Sequence, residues 1–281
     1  MKHLKIIYAL SVAVIMSLVI YSCAKEDSKS KVEFKALANE EFNQIVNKSF
    51  QSLGVQKDNS IVDFRSTNTN CPPATPAPGT TCSTTSATHT ISLPASGSRP
   101  ACNDMKLTYL LTVCYNPNPA PFESPISFTF ESFEAWPGNC PAFLTWYNNL
   151  SNIDKAIQQD KWEYEASRIE EELLVVSILT QAGFFGCEHG WSASSSFNTN
   201  LCYSRCLVPT DGWPYWKSTK SYCGIQCCKR KTEYCLGITG AVQYQGPTFE
   251  TVGPSCEFST VFCPKGGIPL SEFCGVKCGP L

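Results

Sequence analysis

Histidine is scarce in this chain. Three occur in 281 residues, and His3 precedes an apolar leader, which leaves His89 and His189 for the rest. Histidine-rich metal chemistry, which gathers several imidazoles at one ion, is therefore not expected, and neither a metal nor another cofactor is assigned. Net charge is slight, −2 over the whole chain. That gives no basic footprint for a nucleic-acid partner. No second long apolar run follows the leader, and a spanning helix needs about 20 apolar residues. No Cys-x-x-Cys occurs, so a thioredoxin-like redox site has no support. The P-loop, G-x-S-x-G and H-E-x-x-H patterns are missing as well, and Gly266-Gly267 reads as a turn. No catalytic residue is assigned.

Cysteine is what the chain has in quantity. There are seventeen. Setting Cys23 aside leaves an even number, which in an oxidising compartment reads as a disulfide framework. Cys71, Cys82, Cys102, Cys114 and Cys140 precede Phe184. Cys187, Cys202, Cys206, Cys223, Cys227, Cys228, Cys235, Cys256, Cys263, Cys274 and Cys278 follow it. Both groups are odd, so full pairing within one chain requires at least one bridge between them. Cys140 with Cys187 is the expected crossing, because the two bracket a helical region. Cys227 and Cys228 are expected to find different partners, since neighbouring side chains on extended backbone diverge.

The leader explains why Cys23 stands apart. Lys2 and Lys5 give a positive start, and Ile6 to Ile20 is mostly apolar, which is a signal-peptide pattern. Ile20-Tyr21-Ser22-Cys23 then resembles the lipobox of bacterial lipoproteins. The resemblance implies that the Cys23 thiol takes a diacylglyceryl group, which carries palmitate-like chains, and that the leader is then cut before Cys23. The anchor would hold the protein to the membrane, because each buried methylene contributes about 0.8 kcal/mol and two or more chains anchor stably. Ala24-Lys25-Glu26-Asp27 resembles the export stretch of some Gram-negative surface lipoproteins. It implies an outer-membrane, cell-surface location, with a periplasm-facing one as second choice.

The rest of the chain divides by pattern. Residues 1–22 are read as the signal peptide, 23–32 as a lipidated flexible tether, and 33–281 as a single disulfide-rich domain. Within that domain, 33–183 carries helices and strands, and 184–281 is the cysteine-rich part. Phe34, Leu37, Phe42, Val46, Phe50 and Leu53 recur at helical steps, with Gly54 as the stop. Thr67 to Pro100, rich in Ser, Thr, Pro and Ala, is expected to be a loop pinned by Cys71 and Cys82, with a short strand at Ile91 and Leu93. Met105 to Val113 alternates with period two and Ile126 to Phe130 repeats the pattern, which predicts an antiparallel pair. Ala142 to Ala182 is predicted to be a helix or helical hairpin. Its inner stripe would be Ala166, Ile169, Leu173, Val176 and Leu179, with Glu163, Glu165, Glu170 and Glu171 outside, and Gly183 as C-cap. Beyond Phe184, short segments between cysteines predict loops.

Few constellations carry chemistry. Cys202/Cys206, Cys223/Cys227 and Cys274/Cys278 have a spacing that can hold zinc through thiolates, but an oxidising compartment argues for bridges. Cys187-Glu188-His189 sets a thiol beside an acid and an imidazole, which reads as a bridged cysteine next to an exposed histidine. The run Glu170-Glu171-Glu172 reads as a solvated helix face, and Glu131 and Glu134 as surface charge. Trp213, Tyr215, Trp216 and Lys217 form the one aromatic cluster suited to stacking on a glycan or anchoring a protein ligand.

The expected fold class is α+β and disulfide-rich, with an amphipathic N-terminal helix, a small antiparallel strand unit, a helical hairpin and a loop-dominated cysteine-rich C-terminal part. The expected function is that of a membrane-anchored extracytoplasmic lipoprotein with a binding or structural role. The alternative is an extracytoplasmic hydrolase with scattered site residues.

Overall fold

The structure, a computed structural model, describes residues 37–58, 71, 76, 79–120, 123–184, 186–187, 190, 192–209, 216–256, 263, 267–270, 275 and 278–279. The leader, Cys23 and the tether lie outside these residues.

Helix α1, Asn39–Leu53, ends at Gly54, whose φ of 76° is the left-handed C-cap that glycine adopts without steric cost. Phe42, Val46 and Phe50 form its buried stripe, and the Phe42 ring stacks on Tyr115 at 4.7 Å. Strands β1 (Gln56–Asp58), β2 (Thr81–Leu93), β3 (Cys102–Tyr115) and β4 (Ile126–Pro137) follow. Next come helices α2 (Pro141–Asn148) and α3 (Asn152–Ala182), then β5 (Ala193–Asn200), β6 (Tyr203–Pro209), β7 (Trp216–Tyr222), β8 (Cys227–Leu236), β9 (Val242–Val252) and β10 (Ile268–Pro269). The fold is α+β and disulfide-rich. No helix among the described residues is long and apolar enough to cross a membrane.

Seven strands form one sheet in the order β1-β2-β3-β4-β5-β8-β9, and β10-β6-β7 form a second, smaller one. Every pairing is antiparallel except β4 with β5. A parallel neighbour needs a long crossover, and here α2 and α3 provide it. The Ser151 hydroxyl caps α3 by accepting the Asp154 N–H, and Gly183 closes it at a φ of 71°.

Register divides the large sheet into two unlike faces. One face packs under α3. On it Leu111, Phe130, Phe197 and Arg230 lie in one cross-strand row, and the Phe130 and Phe197 rings stack at 4.5 Å. Trp162 of α3 is fully buried among Phe143, Tyr147 and Trp136 and donates its indole N–H to the Ala135 carbonyl at 3.2 Å. The opposite face is written in Ser and Thr and carries no helix packing described here.

Three expectations are corrected. The Ser/Thr-rich stretch before Pro100 does not start its strand at Ile91; Thr81–Leu93 is a strand of 13 residues. Threonine is β-branched and favours extended backbone, and the alternation Ala87, His89, Ile91, Leu93 is buried although partly polar. The C-terminal part is likewise built of strands, not loops. Its inward positions, Ser195, Phe197, Arg230, Thr232 and Tyr234, are buried but mostly polar, so an apolar count passes over them. The inner stripe of α3 is also rotated. Ala166 and Leu179 of the expected stripe are fully buried, but Leu173 is 39 % exposed, and Leu174, Val175 and Ile178 are fully buried in its place.

The disulfides join the parts. Cys82–Cys114, Cys102–Cys140, Cys187–Cys235, Cys202–Cys256, Cys206–Cys263 and Cys228–Cys278 are bridged, and Cys223 is also disulfide-bonded. Cys274 lies outside the described residues. The bridge between the two halves is Cys71–Cys227, 156 residues apart. Cys140 and Cys187 are not joined, because the strand register sets Cys102 beside Cys140 with Cα atoms 5.4 Å apart. Cys227 and Cys228 take different partners. With Cys202, Cys206, Cys223 and Cys227 all bridged, no thiolate set remains there for zinc.

A bridge closing so long a loop restricts the unfolded chain strongly, by roughly 5 kcal/mol if it acted alone. The double variant Cys71→Ala/Cys227→Ala should lose about 2–5 kcal/mol in denaturant titration, and peptide mapping of unreduced wild type should recover the Cys71–Cys227 pair. A variant as stable as wild type would show that the crossing constrains nothing.

Candidate functional site

Helix α3 carries acids on its inner side. Glu163, Glu170 and Glu171 are 8 %, 0 % and 1 % exposed, which corrects the expectation of a solvated face; only Glu172 of that run is exposed. An ionised carboxylate is stable out of water only when paired and hydrogen-bonded. Each of the three has its cation on a strand.

Glu170 meets β2 and β3. His89 Nδ1 lies 2.6 Å from Glu170 Oε2, and His89 Nε2 lies 2.8 Å from the Leu53 carbonyl. Tyr109 donates its hydroxyl to Glu170 Oε1. The Leu53 carbonyl only accepts, so Nε2 donates to it, and when Nδ1 donates to an ionised Glu170 carboxylate the imidazole carries a proton on both nitrogens. Burial opposes that charge. The bond to Glu170, the negative charge of that carboxylate and the Leu53 carbonyl outweigh burial and raise the histidine above its ordinary value. Burial first, then the Glu170 charge, keeps the Tyr109 phenol neutral far above its ordinary range. His89 therefore has no free nitrogen to serve as a base.

Glu171 meets β8. Arg230 Nη2 donates to Glu171 Oε2 at 2.6 Å and Nη1 donates to Ser167 Oγ at 3.0 Å, with the guanidinium over the Phe197 ring at 4.3 Å. Glu163 meets the small sheet. Arg205 of β6 and Lys220 of β7 both reach Glu163 Oε2 at 2.8 Å. Arg205 also bonds Asp160 Oδ1 at 2.6 Å, and Tyr203 donates its hydroxyl to the same oxygen at 2.8 Å. Burial pushes the Glu163 carboxyl up, but the charges of Arg205 and Lys220 pull harder and hold it at about 2. The two acids and two bases balance. A cavity of about 100 Å³ beside them is walled by the Tyr164, Phe197 and Phe249 rings, and its charged wall is already paired.

The other face holds the larger recess. It occupies about 690 Å³ over the Ser/Thr side of the large sheet. Thr84 pairs with Thr112, Thr112 with Thr129, Thr129 with Ser196, and Ser196 with Lys231, so one cross-strand row of polar side chains spans five strands. The next row runs Cys82, Cys114, Ser127, Ser194, Glu233. Glu131 sits in the recess. Burial raises its carboxyl above the ordinary value, against a bond from Asn198. Lys231 pairs with Glu233 at 2.8 Å.

The sequence-predicted residues fall mostly elsewhere. Trp213 and Tyr215 lie outside the described residues. Trp216 and Lys217 are placed only by backbone, opposite Pro209 and Val208 on β6. Cys187 is bridged to Cys235, so it has no thiol to activate, and Glu188 and His189 lie outside the described residues. The buried pairs and the polar rows were not legible as sites, because each partner sits on a strand far from the other in sequence.

Two outcomes test the buried charges. Arg230→Met should cost about 3–5 kcal/mol by leaving Glu171 buried and alone, and Arg230→Met/Glu171→Leu should recover most of it, read by denaturant titration. His89, raised in the folded state, stabilises fully below its unfolded value of 6.5 and loses that contribution as pH climbs through the raised folded value. Wild type should therefore weaken over that window, and His89→Gln should show no such step. A step of equal size in the variant would remove His89 from this role.

Comparison with protein-family models, with curated proteins and with solved structures finds no match.

Proposed function

We propose that this chain is a lipid-anchored extracytoplasmic binding protein, displayed at the outer-membrane surface, that meets its ligand on the open polar face of its large sheet. The lipobox-like Ile20-Tyr21-Ser22-Cys23 supports the anchor. The disulfides support an oxidising compartment.

One observation carries the binding role. The buried charges on the helix face are already paired with one another, whereas the hydroxyls and carboxylates of the 690 Å³ recess face outward on a sheet stapled by Cys82–Cys114. A recess of this volume is of the size that ligands fill.

The same geometry weighs against a hydrolase. Glu131 bonds Asn198, which pairs with Lys229, and Glu233 lies four residues further along β8. Strand spacing and rise then set Glu131 and Glu233 about 16 Å apart at the backbone. Paired catalytic carboxylates of glycoside hydrolysis stand roughly 5–9.5 Å apart, carboxyl to carboxyl, so these two would have to turn toward each other and give up the bonds to Asn198 and Lys231 that they already make.

Cys23→Ala should leave the protein unacylated and release it from the membrane fraction, or stall it as a precursor. Wild type found soluble with an unmodified Cys23 would overturn the anchor. Incubation with soluble polysaccharides and with casein should release neither reducing ends nor peptides. Turnover that Glu131→Gln abolishes would replace binding with hydrolysis.

A further inference from the structure

The recess on the outer face has a chemistry specific enough to name its ligand class. We infer that it binds a neutral polyhydroxylated chain, a glycan without acidic groups, laid across the Thr84-Thr112-Thr129 and Ser127-Ser194 rows. This rests on the binding role proposed above and adds the class of ligand.

The first reason is the kind of group on offer. The recess lies over strands β2, β3, β4, β5 and β8; among the described residues β1 covers only Ser86–Thr88 of β2, so Thr81–Thr85 form an edge at one side of it, while the rows on β3, β4, β5 and β8 lie inside the sheet. An extended peptide binds a sheet by adding to its edge, and here that would engage Thr81–Thr85 alone and leave the polar rows on β3, β4, β5 and β8 untouched. Across those rows only side chains are available, and most of the polar ones are hydroxyls, which donate and accept alike. Sugar hydroxyls do the same, so each contact can form in either direction.

Spacing is the second reason. Neighbouring strands set the hydroxyls about 4.8 Å apart, and alternate residues along a strand about 6.8 Å apart. That lattice is on the scale of one sugar ring. Thr84 and Thr112 already lie 2.9 Å apart, hydroxyl to hydroxyl, which shows neighbours within a row close enough for one ligand group to bridge two side chains.

Charge is the third. The described lining contains Glu123, Glu131 and Glu233 against Lys231 alone, and Lys231 is paired with Glu233. Two carboxylates are left over, so polyuronates, phosphate-bearing chains and nucleic acids are repelled. Carboxylates accept well from vicinal hydroxyls. The described lining holds no aromatic ring, which disfavours a purely apolar ligand.

The test uses the whole acylated protein in detergent micelles. Native gels would contain a soluble β-glucan, a mannan, a dextran or a soluble chitin oligomer, with alginate as the acidic arm and polylysine titration as the cationic arm. At least one neutral polymer should retard the protein and alginate should not. Thr84→Val/Thr129→Val removes two hydroxyls but keeps the β-branched shape, so it should weaken retardation about tenfold or more with an unchanged melting midpoint. Thr112→Val is the second variant if the double one fails to fold. Retardation that survives these changes would move the ligand off this face. Polylysine binding that is lost in Glu131→Gln, with no neutral polymer retarded, would overturn the ligand class and leave the binding face standing. No polymer bound in any arm would remove both.

Discussion

The structure turns on the pairing of the carboxylates inside α3 with cations on the strands. Glu163, Glu170 and Glu171 each find a partner on a different strand set: β6 and β7, β2 and β3, and β8. An apolar stripe holds a long helix on a sheet by close packing, through many weak contacts that have no direction of their own. Charges that must be paired admit far fewer positions, because any shift leaves an ion buried and alone. One helix therefore fixes the large sheet, the small sheet and the β4–β5 crossover against one another. Such pairs need not add net stability over apolar side chains of the same volume. Their effect lies in which arrangement is chosen.

These pairs also set a preferred pH range. Glu163, held at about 2, contributes fully above its ordinary 4.5 and loses that contribution as pH falls toward the folded value. His89 contributes fully below its ordinary 6.5 and loses it as pH rises. The two windows overlap in mildly acidic solution, where both pairs are intact. The disulfides act differently. They restrict the unfolded chain at any of these pH values, so acid or base that strains the ion pairs still meets a chain with little freedom to gain.

What was legible in the sequence was the set of features that depend on near neighbours. The Gly54 and Gly183 caps, the alternation in Met105–Val113 and the odd cysteine counts on either side of Phe184 are all local, and α1, β3, α3 and a crossing bridge follow from them. What was not legible depends on a partner elsewhere. Glu170 reads as a solvated charge until His89, 81 residues away, stands 2.6 Å from it. Thr81–Leu93 reads as a loop because its threonines look polar, although the same residues favour a strand once β3 is beside them. The rotation of α3 has the same origin. Counting apolar residues selects Leu173, whereas the true inner stripe passes through three glutamates whose partners the count does not see.

The division between the two faces of the large sheet bears on function through entropy. A surface hydroxyl contributes only about 0.5–1.5 kcal/mol net per hydrogen bond, so a ligand held by hydroxyls needs several at once. That is useful only if the side chains already stand in place, since ordering each one on binding would consume the gain. β-branched threonine has few rotamers to lose. The strands beneath it are tied by Cys82–Cys114 and by the helix on the other side. The buried ion pairs thus supply a rigid floor, and the polar rows above it can add weak contacts along a chain-like ligand. Affinity should then grow with the length of chain that reaches across the rows.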